Sequence, residues 1–271
     1  MSSSPCETCP ANAHLAQMGL RIEKYDRIVA LAGNPNTGKS TVFNSLTGLN
    51  QHTGNWPGKT VTRAEGGYEF NGIRYKLVDL PGTYSLLSAS QDEEVARNFI
   101  LFGQPDCVVV VTDATALERN LNLALQVMEI TPRVIVAVNL MDEARRKGLE
   151  VDVRSLSRDL GVPAIPITAR SGEGVQTLLM TIEEVITGKI QTKPLQAGGT
   201  VEFRQAVEEL AGMITRLIPN IPNARWLAIR LLDGDARVEQ ALLNSELADL
   251  VANQRRSDLR LSSKTALAGN Q

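Results

Sequence analysis

The chain has 271 residues, 43% of them hydrophobic and 21% charged, which suits a soluble globular protein with one ordinary domain and a smaller one. With 28 basic against 30 acidic residues the formal net charge is −2, so there is no basic footprint for nucleic acid. No apolar run approaches the roughly 18–20 residues of a membrane helix, and Met1-Ser-Ser-Ser-Pro5 has neither the charged nor the apolar part of a signal peptide.

Residues 1–25 are a polar, poorly patterned lead, expected to be flexible, with Cys6, Cys9 and His14. Two cysteines and one histidine are one ligand short of a closed zinc site. Incidental cysteines in a tail are the simpler reading, and a weak metal-handling or redox pair is the other. Three cysteines in the whole chain argue for a reducing cytosol. The apolar run Arg27–Ala32 then leads into Gly33, Asn34, Pro35, Asn36, Thr37, Gly38, Lys39 and Ser40, followed by Thr41–Leu46. That is the order of a buried strand, a phosphate-binding loop and a helix. The glycines let several N–H groups face one anion, and the helix N-terminus adds positive potential. Lys39 can reach the β- and γ-phosphates, and the Ser40 hydroxyl can ligate Mg²⁺.

The next stretch, Asn55-Trp56-Pro57-Gly58-Lys59-Thr60, sits where nucleotide switch proteins place a threonine on Mg²⁺ and the γ-phosphate. Thr60 is assigned that role, with Gly58 and Lys59 beside it; Thr53 and Thr62 read as turn residues. Tyr68–Phe70, the turn Asn71-Gly72 and Ile73–Asp79 predict a hairpin, hence one antiparallel strand in an otherwise parallel sheet. Asp79, Leu80, Pro81 and Gly82 follow. The Asp79 carboxylate can hold Mg²⁺ through its water, and the Gly82 N–H can approach the γ-phosphate, whose loss would release the following loop. Thr83 stands where a water-orienting glutamine is often found, and it is a poor general base.

Asp106–Thr112 predicts a central strand buried on both faces, backed by Leu121, Leu125 and Met128 as core residues at helical spacing. Arg133–Val138 ends in Asn139, Leu140, Met141 and Asp142. The Asp142 carboxylate can accept from the ring N–H and the 2-amino group of guanine. Adenine lacks both donors and would leave the carboxylate desolvated and unpaired. After Pro163–Ile167, the segment Thr168-Ala169-Arg170 offers a backbone N–H to the guanine oxygen. Each short motif alone means little. In this order, each after a strand, the set specifies a guanine-nucleotide switch protein.

From Gly188 to Thr200 the chain is a polar linker. Val201, Ala206, Val207, Leu210, Met213, Ile214 and Leu217 then mark one amphipathic helix. Trp226, Ile229 and Leu232, then Leu243, Leu247 and Leu250, suggest two or three more. The expected organisation is a lead over 1–25, a doubly wound α/β domain over 26–190, a small all-helical domain over 191–260 and a tail over 261–271.

From about residue 26 to residue 260 the chain resembles the cytosolic N-terminal part of the prokaryotic ferrous-iron transporter family FeoB. The resemblance rests on the phosphate loop 33–40, the switch segment Gly54–Thr60, and Arg225-Trp-Leu-Ala-Ile-Arg-Leu-Leu-Asp-Gly-Asp235. It implies a P-loop GTPase domain binding GTP, GDP and Mg²⁺, then a helical domain that slows GDP release by packing on it. A polytopic membrane domain moving Fe²⁺ would come next, placing this part at the cytoplasmic face of the bacterial inner membrane. On that footing the chain is expected to be a fragment that cannot transport iron alone. The transporter membrane domain in cis is its expected partner, with room for a homo-oligomer and for small cytosolic Feo accessory proteins.

The resemblance also implies slow hydrolysis activated by K⁺, because related GTPases with an asparagine at the position of Asn36 include potassium-activated members. The physical motive is the missing glutamine: charge building between the β- and γ-phosphates needs another neutraliser, and no arginine finger is apparent in the switch segments. Asn36 would ligate K⁺, with backbone carbonyls of Asn55–Gly58 completing the shell. Lys39, Thr60, Gly82 and Asn36 form the expected catalytic set. A soluble ribosome-assembly or RNA-modification GTPase is the alternative, weakened by the helical appendage and balanced charge. A nucleotide sensor with negligible turnover is a third class.

Overall fold

A computed structural model describes residues 25–48, 51–87, 90–195, 198–248 and 251. Strands and helices alternate as β1 (Arg27–Gly33), α1 (Lys39–Thr47), β2 (Gln51–Asn55), β3 (Thr62–Phe70), β4 (Ile73–Asp79), α2 (Gln91–Gly103) and β5 (Cys107–Asp113). There follow α3 (Leu117–Ile130), β6 (Val134–Asn139), α4 (Met141–Arg146), α5 (Val153–Leu160), β7 (Ala164–Pro166) and α6 (Val175–Ile186). Seven strands form one sheet in the order β2-β3-β4-β1-β5-β6-β7. Pairing is parallel from β4 through β1, β5 and β6 to β7. The loops that carry chemistry leave the C-terminal ends of β1, β4, β6 and β7, where open parallel sheets bind ligands.

The apolar runs predict β1, β5 and β6 well because each is buried on both faces along nearly its whole length. On one face Phe43 and Leu46 of α1 and Leu178 and Ile182 of α6 pack against Leu31, Leu77, Val109 and Val111. Two expectations are corrected. The sheet gains an unexpected edge strand, Gln51–Asn55, which pairs antiparallel with Thr62–Gly66, so that Thr53 and Thr62, read as turn residues, lie in strands; β3 alone runs against the other six strands, as expected. Gln-His-Thr-Gly-Asn has no apolar alternation to betray a strand, and a sheet edge tolerates that. In α3 the buried line is Leu123, Ala124, Val127 and Met128, while Leu125 is exposed. The helix is rotated by one position relative to the expected face because Asn120 is buried, accepting from the Asp113 N–H and donating to the Ala116 carbonyl.

Among the described residues the chain divides into two compact units, the larger built on 25–100 and 104–195 and the smaller on 101–103 and 198–251. Residues 193–195 still belong to the larger: the Lys193 N–H donates to Gly161 O at 2.9 Å and the Leu195 N–H to Leu160 O at 2.8 Å.

The smaller unit holds α7 (Val201–Leu217), α8 (Ala224–Leu232) and α9 (Ala236–Leu243). Thr200, Asn223 and Asp235 cap their N-termini through side-chain oxygens. Val207, Ala211, Ile214, Trp226, Leu227, Ala228, Val238 and Leu247 are buried. Val201, Met213, Leu217, Leu232 and Leu243 are exposed, because so small a unit cannot bury every apolar side chain. Leu250, Cys6, Cys9, His14 and the tail over 261–271 lie outside the described residues. Among the described residues no helix is long and apolar enough to cross a membrane.

Candidate nucleotide site

The phosphate loop turns where β1 ends. A Cβ at Gly33 would stand 2.7 Å from the Val111 carbonyl of β5, so the backbone there passes too close for a side chain. Gly38 has φ 79° and caps α1, and a Cβ on it would strike the Asn139 amide. Asn36 is exposed in the left-handed region at φ 67°. The Thr37 hydroxyl donates to the Asn34 carbonyl at 3.0 Å and holds the turn. Pro35 is half-buried, Asn34 is buried, and Ser40 and Thr41 are exposed on the first turn of α1. The N–H groups of that turn have no partner within the helix, which makes it suited to an anion.

Lys39 brings α1 to the end of β4. Its ammonium donates to the Asp79 carboxylate and to the Leu80 carbonyl, the latter at 2.6 Å. Burial pushes the Asp79 carboxyl above its ordinary range, while the Lys39 charge and hydrogen bond pull against the shift. The loop after Asp79 lies against β1 and the phosphate loop: the Leu80 N–H donates to Leu31 O at 2.9 Å and the Thr83 N–H to Gly33 O at 3.3 Å. Leu80 is buried and Pro81 half-buried. A Cβ at Gly82 would lie 3.5 Å from Pro35, so space alone does not require glycine here. Thr83, in the place of the expected glutamine, is itself buried.

The switch segment is anchored elsewhere. Trp56 is buried, edge-on to Phe99 of α2 at 5.4 Å, and the Arg63 guanidinium lies 5.5 Å from its ring centre. A tight turn follows, with the Trp56 N–H donating to Val61 O and the Lys59 N–H to Trp56 O; Gly58 adopts φ 68° within it. Lys59 pairs with Glu94 at 3.0 Å, and the exposed Thr60 hydroxyl donates to Gln91 Oε1 at 3.4 Å. Thr60 is thus held by α2 rather than by the phosphate loop. Behind Trp56, Glu65 is buried between Arg63 and Lys76, 2.6 Å from each.

The base end is built around Asn139, which is 1% exposed. Its Nδ2 donates to Thr37 O at 2.9 Å, and its Oδ1 accepts from the Ala169 N–H at 3.1 Å. One amide therefore ties the phosphate loop to the loop after β7. Leu140, at φ 63°, starts α4, where the half-buried Met141 precedes Asp142. The Asp142 carboxylate is 42% exposed, with Arg146 at 3.6 Å. Thr168 and Ala169 are buried and Arg170 is exposed. The Thr168 N–H donates to Glu173 O and the Ala169 N–H to Asn139 Oδ1, so of these three the exposed Arg170 is the one whose N–H is not engaged in those bonds.

Sequence reasoning missed four contributors: Trp56 as an anchor, Gln91 and Glu94 as its neighbours on α2, and Glu173. Only α2 carried a signal, the acidic start Asp92-Glu93-Glu94 behind the Ser90 cap.

The family model of ferrous iron transport protein B matches residues 27–182, and that of the FeoB cytosolic helical domain matches residues 202–265. The Fe(2+) transporter FeoB of Escherichia coli K12 is 38% identical over 214 residues, which takes in 76% of this chain and 27% of that protein. The chain therefore spans about a quarter of the length of the curated relatives it matches. The cytosolic domain of L. pneumophila FeoB superimposes with a TM-score of 0.72 at 35% identity, covering 87% of this chain and 93% of the other. The T. maritima cytosolic domain in its GDP form II gives 0.74 at 31% identity, covering 88% and 98%. The FeoB G domain of Methanococcus jannaschii gives 0.53 at 45% identity, covering 59% and 97%. With a P-loop GTPase fold, a helical domain behind it and both FeoB models matched in that order, the chain belongs to the FeoB family of ferrous-iron transport proteins.

Proposed function

We propose that this chain binds GTP and GDP with Mg²⁺, hydrolyses GTP slowly, and drives or regulates Fe(II) uptake by a membrane transporter domain joined to it at the cytoplasmic face of the bacterial inner membrane. The observation that carries the reading is the convergence of Lys39 on Asp79 beside the loop Gly33–Ser40, with Asn139 joining that loop to Ala169. T. maritima FeoB cytosolic domains solved in GDP and GMPPNP forms support it.

The donor set suits Mg²⁺: a half-buried carboxylate on Asp79, an exposed hydroxyl on Ser40, and the Thr60 hydroxyl once it leaves Gln91 are all hard oxygen ligands. Bound Mg²⁺ would draw charge from the β- and γ-phosphate oxygens. Lys39 would exchange Asp79 and Leu80 O for those oxygens, freeing the carboxylate. Gly82 would turn its N–H to the γ-phosphate, and Thr60 would close from above. With Thr83 no base, water is oriented by the switch backbone. Asn36, exposed at mid-loop, presents an amide oxygen suited to K⁺, which would neutralise charge between the phosphates. The helical domain would slow GDP release. Nucleotide affinity and turnover should be measured with GTP and ATP, with Mg²⁺ and with EDTA. Mg²⁺-dependent hydrolysis of GTP alone is the expected result; equal affinity for both nucleotides would overturn the reading.

A further inference from the structure

Two separate elements would hold the guanine. Asp142 stands on α4, and the Arg170 N–H stands on the loop after β7. One connection between them runs through Asn139, whose Oδ1 accepts from the Ala169 N–H, and a long bond from the Met141 N–H to Ile167 O, at 3.4 Å. A second connection runs through side chains that the motifs do not include. Arg145 meets Glu173 in a fork, Nη1 donating to Oε1 at 3.1 Å and Nη2 to Oε2 at 2.6 Å. The Thr168 hydroxyl donates to the same Oε2 at 3.2 Å, and the Thr168 N–H to Glu173 O at 2.9 Å. The Ser171 and Gly172 N–H groups both return to Thr168 O, at 3.1 and 3.0 Å, closing the loop on itself. At the other end, Arg145 Nε donates to Met141 O at 3.3 Å, one residue before Asp142.

We infer that the Arg145–Glu173 pair is a brace that holds α4 against the loop Thr168–Arg170, so that Asp142 and the Arg170 N–H face one guanine, and that it thereby sets how long the nucleotide stays. Both are positioning residues and neither touches the base. The inference rests on the guanine-nucleotide reading. With side chains 57% and 54% exposed, an isolated pair of this kind would contribute little. The difference here is geometry: a two-pronged contact, extended at one end to Thr168 and at the other to Met141, spans both base-contacting elements. The arrangement also occupies Arg145. Arg146 already lies 3.6 Å from Asp142. A released Arg145, in the same short helix, would add a second guanidinium competing with the guanine donors for that carboxylate.

That competition makes the test asymmetric. Removing the acid frees Arg145, whereas removing the base frees nothing that competes. Mant-GDP dissociation should be followed for the unmodified chain, Glu173→Gln, Arg145→Met and the double variant. Affinities for GDP and IDP should be measured beside it, since inosine lacks the 2-amino group that Asp142 receives. Glu173→Gln should speed release by about fivefold and shrink the preference for GDP over IDP, the scale of an exposed but networked ion pair. Arg145→Met should speed release by about twofold, and adding it to Glu173→Gln should bring the rate back to that of Arg145→Met alone. Unchanged release and unchanged GDP-to-IDP preference in all variants would overturn the brace. So would faster release with the preference intact and a lowered melting temperature of the nucleotide-free protein, which is the mark of a purely structural contact. Asp142→Asn separates the two failures. If it too leaves the GDP-to-IDP preference untouched, the guanine assignment fails and the brace with it; if it abolishes the preference while the brace variants do not move it, only the brace is wrong.

Discussion

At the base end of the site Asn139 is almost wholly buried with both amide atoms bonded, while at the switch end Thr60 is exposed and its hydroxyl reaches only Gln91, at 3.4 Å. The base end hangs on β6, buried along its whole length between β5 and β7, and on β7, a three-residue edge strand paired with β6. The switch end hangs on β2, a five-residue polar edge strand paired on one side, and on one buried indole. Under the proposed function, the first is preformed to read a base. The second is held in one arrangement by few contacts, which the proposed function would have it exchange for phosphate and metal. Lys39 stands between the two, its ammonium paired with Asp79, a contact that a bound phosphate would replace under the proposed function.

The largest expected effect attacks the preformed end. Asp142→Asn should cost on the order of 10³-fold in GTP over ATP preference, the scale of discrimination by a site built to receive two donors, and should improve binding of xanthine nucleotides. Competition binding with the three nucleotides checks it. An unchanged preference would mean that the base is read elsewhere, and the contrast between the two ends would collapse.

The next variant tests the anchored end. Trp56→Ala removes the one large buried side chain of the switch segment, and should lower stability by about 3 kcal/mol in chemical denaturation. It should also loosen residues 51–61 in hydrogen exchange while leaving β6 and β7 protected. The chain has only one other tryptophan, Trp226, so with Trp226→Phe the fluorescence of Trp56 reports directly whether GTP analogues move this segment. No spectral change on binding would show that the switch does not exchange its contacts.

A smaller effect is expected from the cation. Turnover in KCl should exceed that in equal NaCl by about tenfold, and Asn36→Ala should remove the difference, on the scale of losing one group that stabilises the transition-state charge. If Asn36→Ala keeps the full acceleration, charge at the phosphates is neutralised by other groups. The smallest effect concerns the helical unit. Ending the chain after Leu195, so as to keep the bonds of Lys193 and Leu195 to Gly161 and Leu160, should speed mant-GDP release by roughly two- to fivefold, a modest coupling between units. An identical off-rate would remove the helical unit from nucleotide retention.

Local chemistry is legible where it is short in range. The runs Arg27–Ala32, Cys107–Thr112 and Val134–Val138 are apolar on both faces, and such runs become central strands in whatever order they pair. Gly38 must be glycine because its φ is positive and because Asn139 leaves no room for a Cβ, so the phosphate loop is recognisable without any structure. Two readings failed where local pattern was weak or ambiguous. The strand Gln51–Asn55 has no alternation because an edge strand needs none. In α3 the choice between Leu125 and Ala124 as the inward residue is made by the buried Asn120, not by the helical period.

What the sequence by itself determined is therefore the inventory: a glycine-rich loop after a strand, two carboxylates, Asp79 and Asp142, at or just past strand ends, and a helical appendage. What only the tertiary structure decided is which of these groups meet. Asn139 and Thr37 are 102 residues apart and share a hydrogen bond, Lys39 and Asp79 are 40 apart and share a charge, and Thr60 meets Gln91 instead of the loop it would serve. Spacing and period describe neighbours within about two turns of a helix or across one hairpin. Contacts between distant strand ends depend on sheet order and on the direction each side chain leaves its strand, and those are set by how the whole core packs.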